Sequence, residues 1–290
     1  NGVYDGLITP REAIMYSKNI TSLKVVYNLG LSTALEYGKK SGLIYNSESS
    51  KSIATLALGE FNNDPSDRDG GNTTILASAY GSFGNKGIRT EAILYTKVID
   101  STGKVILDKT ADTTKLFSEE TAYIMYDILK GPVTGFDAGG AKFGDIPVAG
   151  KSGTTDNSDS FWFSGLTPYY SASVWIGYDM PTKLNGYSSS AASLWGDVMG
   201  VVHQGLSYKE IEKPSTVVTA TVCRDSGKLA TDLCAQDQRG SRVRTEYFIE
   251  GTQPTTACDV HVTAKVNSTN NKLATASTSV RNIVTKVFIK

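Results

Sequence analysis

Two short clusters in this 290-residue chain carry residue types and spacings that could do chemistry. The first is Lys151-Ser152-Gly153-Thr154, set between an apolar strand start and the polar turn Asp156-Asn157-Ser158-Asp159. A lysine there presents a cation over a cleft, the hydroxyl of Ser152 or Thr154 could bind a carboxylate, and Gly153 removes a side chain that would block close approach of substrate backbone. The Thr154 backbone N–H, on an edge strand, could point at a developing oxyanion. The second cluster is Ser17-Lys18-Asn19 at a helix end. Where the helix breaks, the serine could relay a proton and the asparagine could hold both a lysine and a substrate carbonyl. The plainer alternative is a frayed helix end whose polar side chains cap the backbone. Ser268-Thr269-Asn270 repeats the same spacing in the tail, so three residues alone decide little.

The elements that must position these clusters follow from pattern. Thr9-Pro10-Arg11-Glu12 reads as a helix start, with a hydroxyl cap, proline at the first helical position and a glutamate three residues after the cap. That helix is expected to run to about Ser17. Further helices are expected at 20–29 and 32–40, stopped by Gly30 and Gly42, and at 74–83, with a polar loop at 59–72 between them. Strands are expected at 91–99 and 104–108, joined through Ser101-Thr102-Gly103, and the apolar spacing from Phe117 to Lys130 suits an amphipathic helix. Ile146 to Thr154, Phe161 to Leu166 and Ser171 to Tyr178 read as an antiparallel meander, followed by a helix over 190–204. Alternation sends Phe161 and Phe163 to one face, the core side, and Trp162 to the other. Trp195 is expected in the core. The fold class is α/β (α+β), helices packed around a mostly antiparallel sheet. Residues 1–212 form the main domain, and 213–290 a small C-terminal module or partly ordered tail.

Composition narrows the classes of function. With 29 basic and 29 acidic residues the formal charge is zero, which gives no global attraction for nucleic acid or an anionic membrane surface. The chain has no apolar run long enough to span a bilayer, and Asn1-Gly2-Val3-Tyr4-Asp5 lacks the features of a signal peptide. The absence of a starting Met suggests a piece of a longer protein whose anchor would lie before it. Cys223, Cys234 and Cys258 have a spacing unlike paired zinc ligands, so no metal site is expected; one disulfide plus a free thiol is open.

The surrounding text is more specific than the clusters. Arg11-Glu12-Ala13-Ile14-Met15-Tyr16-Ser17-Lys18-Asn19 and Lys151-Ser152-Gly153-Thr154-Thr155 resemble the second and third motifs of the penicillin-binding transpeptidases. Together with Phe161-Trp162-Phe163-Ser164-Gly165-Leu166-Thr167-Pro168, Val174-Trp175-Ile176-Gly177-Tyr178-Asp179 and Gly84-Asn85-Lys86-Gly87, they are similar to class A, bifunctional penicillin-binding proteins of Gram-positive type. The resemblance covers residues 1 to about 205 and extends loosely through Arg244-Thr245-Glu246-Tyr247-Phe248 and Cys258-Asp259-Val260-His261.

The resemblance implies a penicillin-binding transpeptidase or serine β-lactamase-like fold, and a D,D-transpeptidase that crosslinks peptidoglycan stem peptides through a serine acyl-enzyme and is acylated by β-lactams. It implies that Ser17 shuttles a proton toward the leaving group and that Asn19 contacts the catalytic lysine and the substrate amide. It further implies that Lys151 supports proton transfer and attracts the terminal carboxylate. Ser152, Gly153, Thr154 and Thr155 would bind substrate, and the Thr154 N–H would form part of the oxyanion hole. No cofactor is implied. The parent protein would also be a glycosyltransferase, held at the extracytoplasmic face of the membrane, with cell-wall synthesis or division proteins as partners. One departure stands out. The family's Ser-x-x-Lys occurs here only as Ser101-Thr102-Gly103-Lys104, after Ser17 and on an expected hairpin. The expectation drawn from this is that the nucleophile lies on a separate N-terminal fragment. Alternatives are a D,D-carboxypeptidase or β-lactamase-like hydrolase, and a non-catalytic cell-wall binding or β-lactam sensor module.

Overall fold

The computed structural model describes residues 6–61 and 66–290, and the chain divides into two compact units. One is Pro10–Pro214. The other comprises Ser215–Lys290 with Asn1–Thr9, of which residues 1–5 lie outside the described residues. Part of the polar loop expected at 59–72 also falls outside them.

The larger unit opens with three helices, α1 (Pro10–Met15), α2 (Asn19–Leu29) and α3 (Leu31–Lys40). Gly30 separates the last two at φ 89°, a conformation a side chain would resist. Next come α4 (Ile53–Leu58), capped by the Ser52 hydroxyl, and α5 (Thr73–Gly84), capped by the Asn72 side chain. Two small antiparallel ribbons follow: β1 (Ile88–Thr90) pairs with β4 (Thr113–Lys115), and β2 (Lys97–Ile99) with β3 (Val105–Asp108). The strand expected from residue 91 begins only at Lys97. Residues 91–96 pair with no strand among the described residues; Glu91 N–H donates to the Asp112 carbonyl and Lys109 N–H to the Thr96 carbonyl at the two ends, and Leu94 between them is exposed.

Helix α6 (Glu119–Gly135) starts at the Ser118 cap and runs five residues beyond the expected Lys130, through Pro132. Pro132 is buried, so apolar packing offsets its missing N–H. Helix α1 is fastened to α6 by Arg11, whose guanidinium lies 2.6 Å from Asp127 Oδ2 and also donates to the Asp127 carbonyl. Met15 packs over Gly131 and Gly135 of α6, where a Cβ would come within 3.6 Å and 2.6 Å of it.

The meander is a three-stranded antiparallel sheet in the order β5 (Ala149–Thr154), β6 (Ser160–Leu166), β7 (Ser171–Gly177). Phe161 and Phe163 are buried on the face covered by α7 (Ser189–Val202), where Phe163 meets Trp195 edge to face at 5.3 Å. Trp162 lies on the opposite face beside its register partner Trp175. Helix α5 covers that second face: Ser171 Oγ donates to Ala77 O, and Leu166 packs against Gly84. The core gathers Val133, Ala138, Ala141, Val148, Phe161, Phe163, Ala191, Ala192, Trp195 and Met199. Sheet and helices interdigitate closely here.

In the smaller unit, β8 (Val217–Cys223) pairs with β9 (Val243–Ile249), with α8 (Asp232–Ala235) between them in sequence. Residues 263–290, whose Thr/Ser/Asn-rich text left a tail open, fold instead as the hairpin of β10 (His261–Asn267) and β11 (Ile283–Ile289). Its buried alternates Val266 and Val287 supply the apolar face. Single bridges, Leu229 to Ala257 and Asp237 to Val287, tie the segments together. All three cysteines, whose pairing the sequence leaves open, are free.

Candidate functional site

Strand β5 carries the Lys-Ser-Gly-Thr cluster on the edge of the sheet, because β6 occupies only one of its sides. Gly150 is required just before it: a Cβ there would lie 2.4 Å from Phe163 Cζ and 2.8 Å from the Ser164 carbonyl. The register pairs Lys151 with Ser164 and Ser152 with Phe163, so their side chains leave opposite faces. The lysine stem turns back so that Nζ donates to the Ser152 carbonyl at 2.9 Å and lies 3.3 Å from Ser152 Oγ. The hydroxyl of Ser152, almost fully buried, donates a hydrogen bond to Asp137 Oδ2 at 2.6 Å. Ser188 Oγ sits 3.5 Å from the same oxygen, while Asp137 Oδ1 is buried without a hydrogen-bond partner among the described residues.

Burial pushes the Lys151 ammonium below the ordinary lysine value, and the Asp137 carboxylate offsets part of that shift. The result is a hydrogen-bonded row, Lys151 to Ser152 to Asp137, built around a cation held at a strand edge. Asp137 is absent from the sequence reading. Its only signal is position, two residues beyond a helix that runs past Pro132 to Gly135.

Gly153 lies opposite Trp162, and a Cβ there would come within 3.3 Å of the tryptophan Cβ. Thr154 is exposed at the strand end. Thr155 is placed differently from its neighbours. Its hydroxyl donates to Asp159 Oδ1 at 2.6 Å and accepts from the N–H groups of Asp159 and Ser160, so it closes the β5–β6 turn.

Ser17 follows α1 in the left-handed region at φ 53°, and Asn19 opens α2. A non-glycine residue held there carries strain of the kind that collects at functional sites. Neither side chain hydrogen-bonds Lys151 among the described residues. A ring contact brings the two regions together: Tyr16, next to Ser17, meets Phe136, next to Asp137, edge to face at 5.3 Å. Ser101 and Lys104 are exposed in the β2–β3 turn, where Asp100 binds the Thr102 and Lys104 N–H groups. Neither belongs to the row around Lys151. The shallow depression lined by Lys130, Val133 and Lys142 contains none of the motif residues.

Comparison with known proteins identifies the family. The family described as the penicillin binding protein transpeptidase domain matches residues 2–200, and the C-terminal domain of penicillin-binding protein 1A matches residues 213–263. The chain belongs to the penicillin-binding protein transpeptidase family. It is 51% identical over 267 residues to penicillin-binding protein 1A of Clostridium perfringens, covering 91% of this chain and 32% of that protein. It is 47% identical over 290 residues to the Clostridium botulinum protein of the same name, covering 99% of this chain and 34% of the relative. The chain thus spans about a third of the length of these relatives. Its fold superposes on the crystal structure of penicillin-binding protein 1A from Haemophilus influenzae with a TM-score of 0.69 at 20% identity, over 89% of this chain and 42% of that one. The D,D-transpeptidase domain from Eggerthella lenta gives 0.55 at 18% identity, over 71% and 56%.

The family match also overturns one expectation. Because the transpeptidase model runs over residues 2–200, the transpeptidase domain lies within this chain, and its serine motif is expected here and not on a separate N-terminal fragment. That fragment is withdrawn as a partner as well. No helix among the described residues is long and apolar enough to cross a membrane.

Proposed function

We propose that this chain forms a D,D-transpeptidase site that crosslinks peptidoglycan stem peptides through an acyl-enzyme and is acylated by β-lactams. The observation that carries the reading is the Lys151–Ser152–Asp137 row on the open edge of β5. An extended peptide lies along such an edge by adding main-chain hydrogen bonds, and the lysine places a cation for its terminal carboxylate. Ser152 and Thr154 offer hydroxyls to that carboxylate, Gly153 leaves room for the backbone, and the Thr154 N–H contributes to the oxyanion hole. Thr155 supports the site by closing the turn that follows it. Ser17 relays a proton and Asn19 holds the lysine and the substrate amide once substrate draws α1 and β5 into contact. Residues 213–290 act as a separate module, and the site works on the extracytoplasmic face of the membrane. Peptide donor and amine acceptor, supplied together, test the reading: it requires crosslinked product, and hydrolysed donor alone would replace it with a carboxypeptidase.

A further inference from the structure

The smaller unit brings together three thiols and one imidazole that the transpeptidase reading does not use. Cys223 ends β8, Cys234 lies in α8, Cys258 sits in the loop before β10, and His261 opens that strand. Their four ligand atoms all lie within 4.8 Å of one another, and Cys223, Cys234 and His261 are buried. His261 Nδ1 is 3.5 Å from Cys223 Sγ and 3.4 Å from Cys258 Sγ. A tetrahedral ion with bonds of about 2.3 Å to sulfur and about 2.0–2.1 Å to nitrogen spans its S···N edges at roughly 3.6 Å. These separations therefore fit an ion at the centre with little rearrangement.

The outer ring points the same way. His261 Nε2 lies 3.0 Å from Asp237 Oδ2, which fixes Nε2 as the protonated nitrogen and turns the Nδ1 lone pair toward the sulfurs. Asp237 is itself gripped by Arg239 through Nε at 2.8 Å and Nη2 at 2.9 Å. Asp225, 3.4 Å from the same imidazole nitrogen, is taken by Arg242 through both oxygens and by Arg239. The carboxylates are thus supplied with cations, and the side of His261 left for a metal faces the thiols. The Thr231 N–H, 3.3 Å from Cys234 Sγ, donates to a sulfur that would carry thiolate charge.

We propose that Cys223, Cys234, Cys258 and His261 bind one zinc ion as a closed structural site. Four protein ligands leave no open position for a substrate, so the ion holds the unit together and takes no part in acyl transfer. The unit needs such a tie: among the described residues its buried apolar side chains are Val217, Val222, Val266 and Val287 besides the two cysteines, a small core for two hairpins. The linear spacing argued against zinc because only Cys258 and His261 are close in sequence; the other two ligands each come from a different element.

The test uses the full chain, stripped with a chelator under reducing conditions and titrated with zinc, then with cobalt(II) as a spectroscopic probe. Binding of one zinc per chain is expected, with a cobalt form showing sulfur-to-metal charge transfer and the visible bands of a tetrahedral site. Cys234→Ser and His261→Ala should weaken binding by about a hundredfold, and Asp237→Asn by about tenfold. His261→Cys, which restores four ligands, should keep stoichiometric zinc and shift the cobalt bands, which separates lost ligation from lost folding. Three thiols that stay freely reactive with zinc present, or a disulfide between any two of these cysteines in the natively isolated protein, would overturn the site. So would unchanged zinc affinity in Cys234→Ser and His261→Ala. None of these outcomes depends on the transpeptidase reading.

Discussion

The Ser152 hydroxyl donates to Asp137 Oδ2 at 2.6 Å, and the same serine oxygen lies 3.3 Å from Lys151 Nζ. A carboxylate of the protein thus occupies the hydroxyl and neighbours the ammonium that the proposed function offers to the carboxylate of the substrate. Substrate must compete with Asp137 for both. Asp137→Asn keeps the shape and removes the charge, so second-order acylation by a penicillin should rise by up to about tenfold, ~1.4 kcal/mol, and lose part of its salt dependence. Stopped-flow acylation at two ionic strengths measures this; a slower variant would mean that Asp137 assists the reaction instead of competing with substrate.

Lys151 makes a second prediction through pH. Burial holds its ammonium below the ordinary value of 10.5, with Asp137 offsetting part of the shift. Between the lowered folded-state value and 10.5 the unfolded chain binds more protons than the folded one, so stability rises with pH across that window. Below the window the burial penalty is present in full. Lys151→Met removes the penalty and the slope together: denaturant unfolding should show a variant no less stable than wild type at neutral pH and flatter toward alkaline pH. An unchanged slope would show that the lysine is not desolvated.

Ser17 sits at φ 53°, where a side chain costs about 1 kcal/mol or more relative to glycine. Ser17→Gly should therefore be more stable than Ser17→Ala by about 1 kcal/mol, while both lose the hydroxyl and acylate more slowly. Urea unfolding of the pair reads the strain, and equal midpoints would show that the backbone is relaxed there.

Much of the site-bearing fold was legible because its signals are local. The β5–β7 meander follows from alternation and turn residues, and Phe161 and Phe163 fall on the buried face as period two requires. What escaped depends on residues distant in sequence. Asp137 becomes a partner of Ser152 only because α6 continues through Pro132 to Gly135, and the buried side of that proline cannot be read from its neighbours. Residues 91–96 have strand-like text but no partner strand among the described residues, so pattern alone misled. The thiols gather because β8, α8 and β10 converge, and spacing along the chain is blind to that. Thr155, grouped by its motif with substrate contacts, spends its hydroxyl on the turn, a distinction that only coordinates reveal.

The central claim is that Lys151 on β5 belongs to the acylation site, and its most direct test is the rate at which fluorescent penicillin modifies the protein. Lys151→Ala should lower that rate on the order of a hundredfold, the size of effect that follows loss of a group aimed at developing or bound charge. Wild-type labelling of Lys151→Ala would contradict the account.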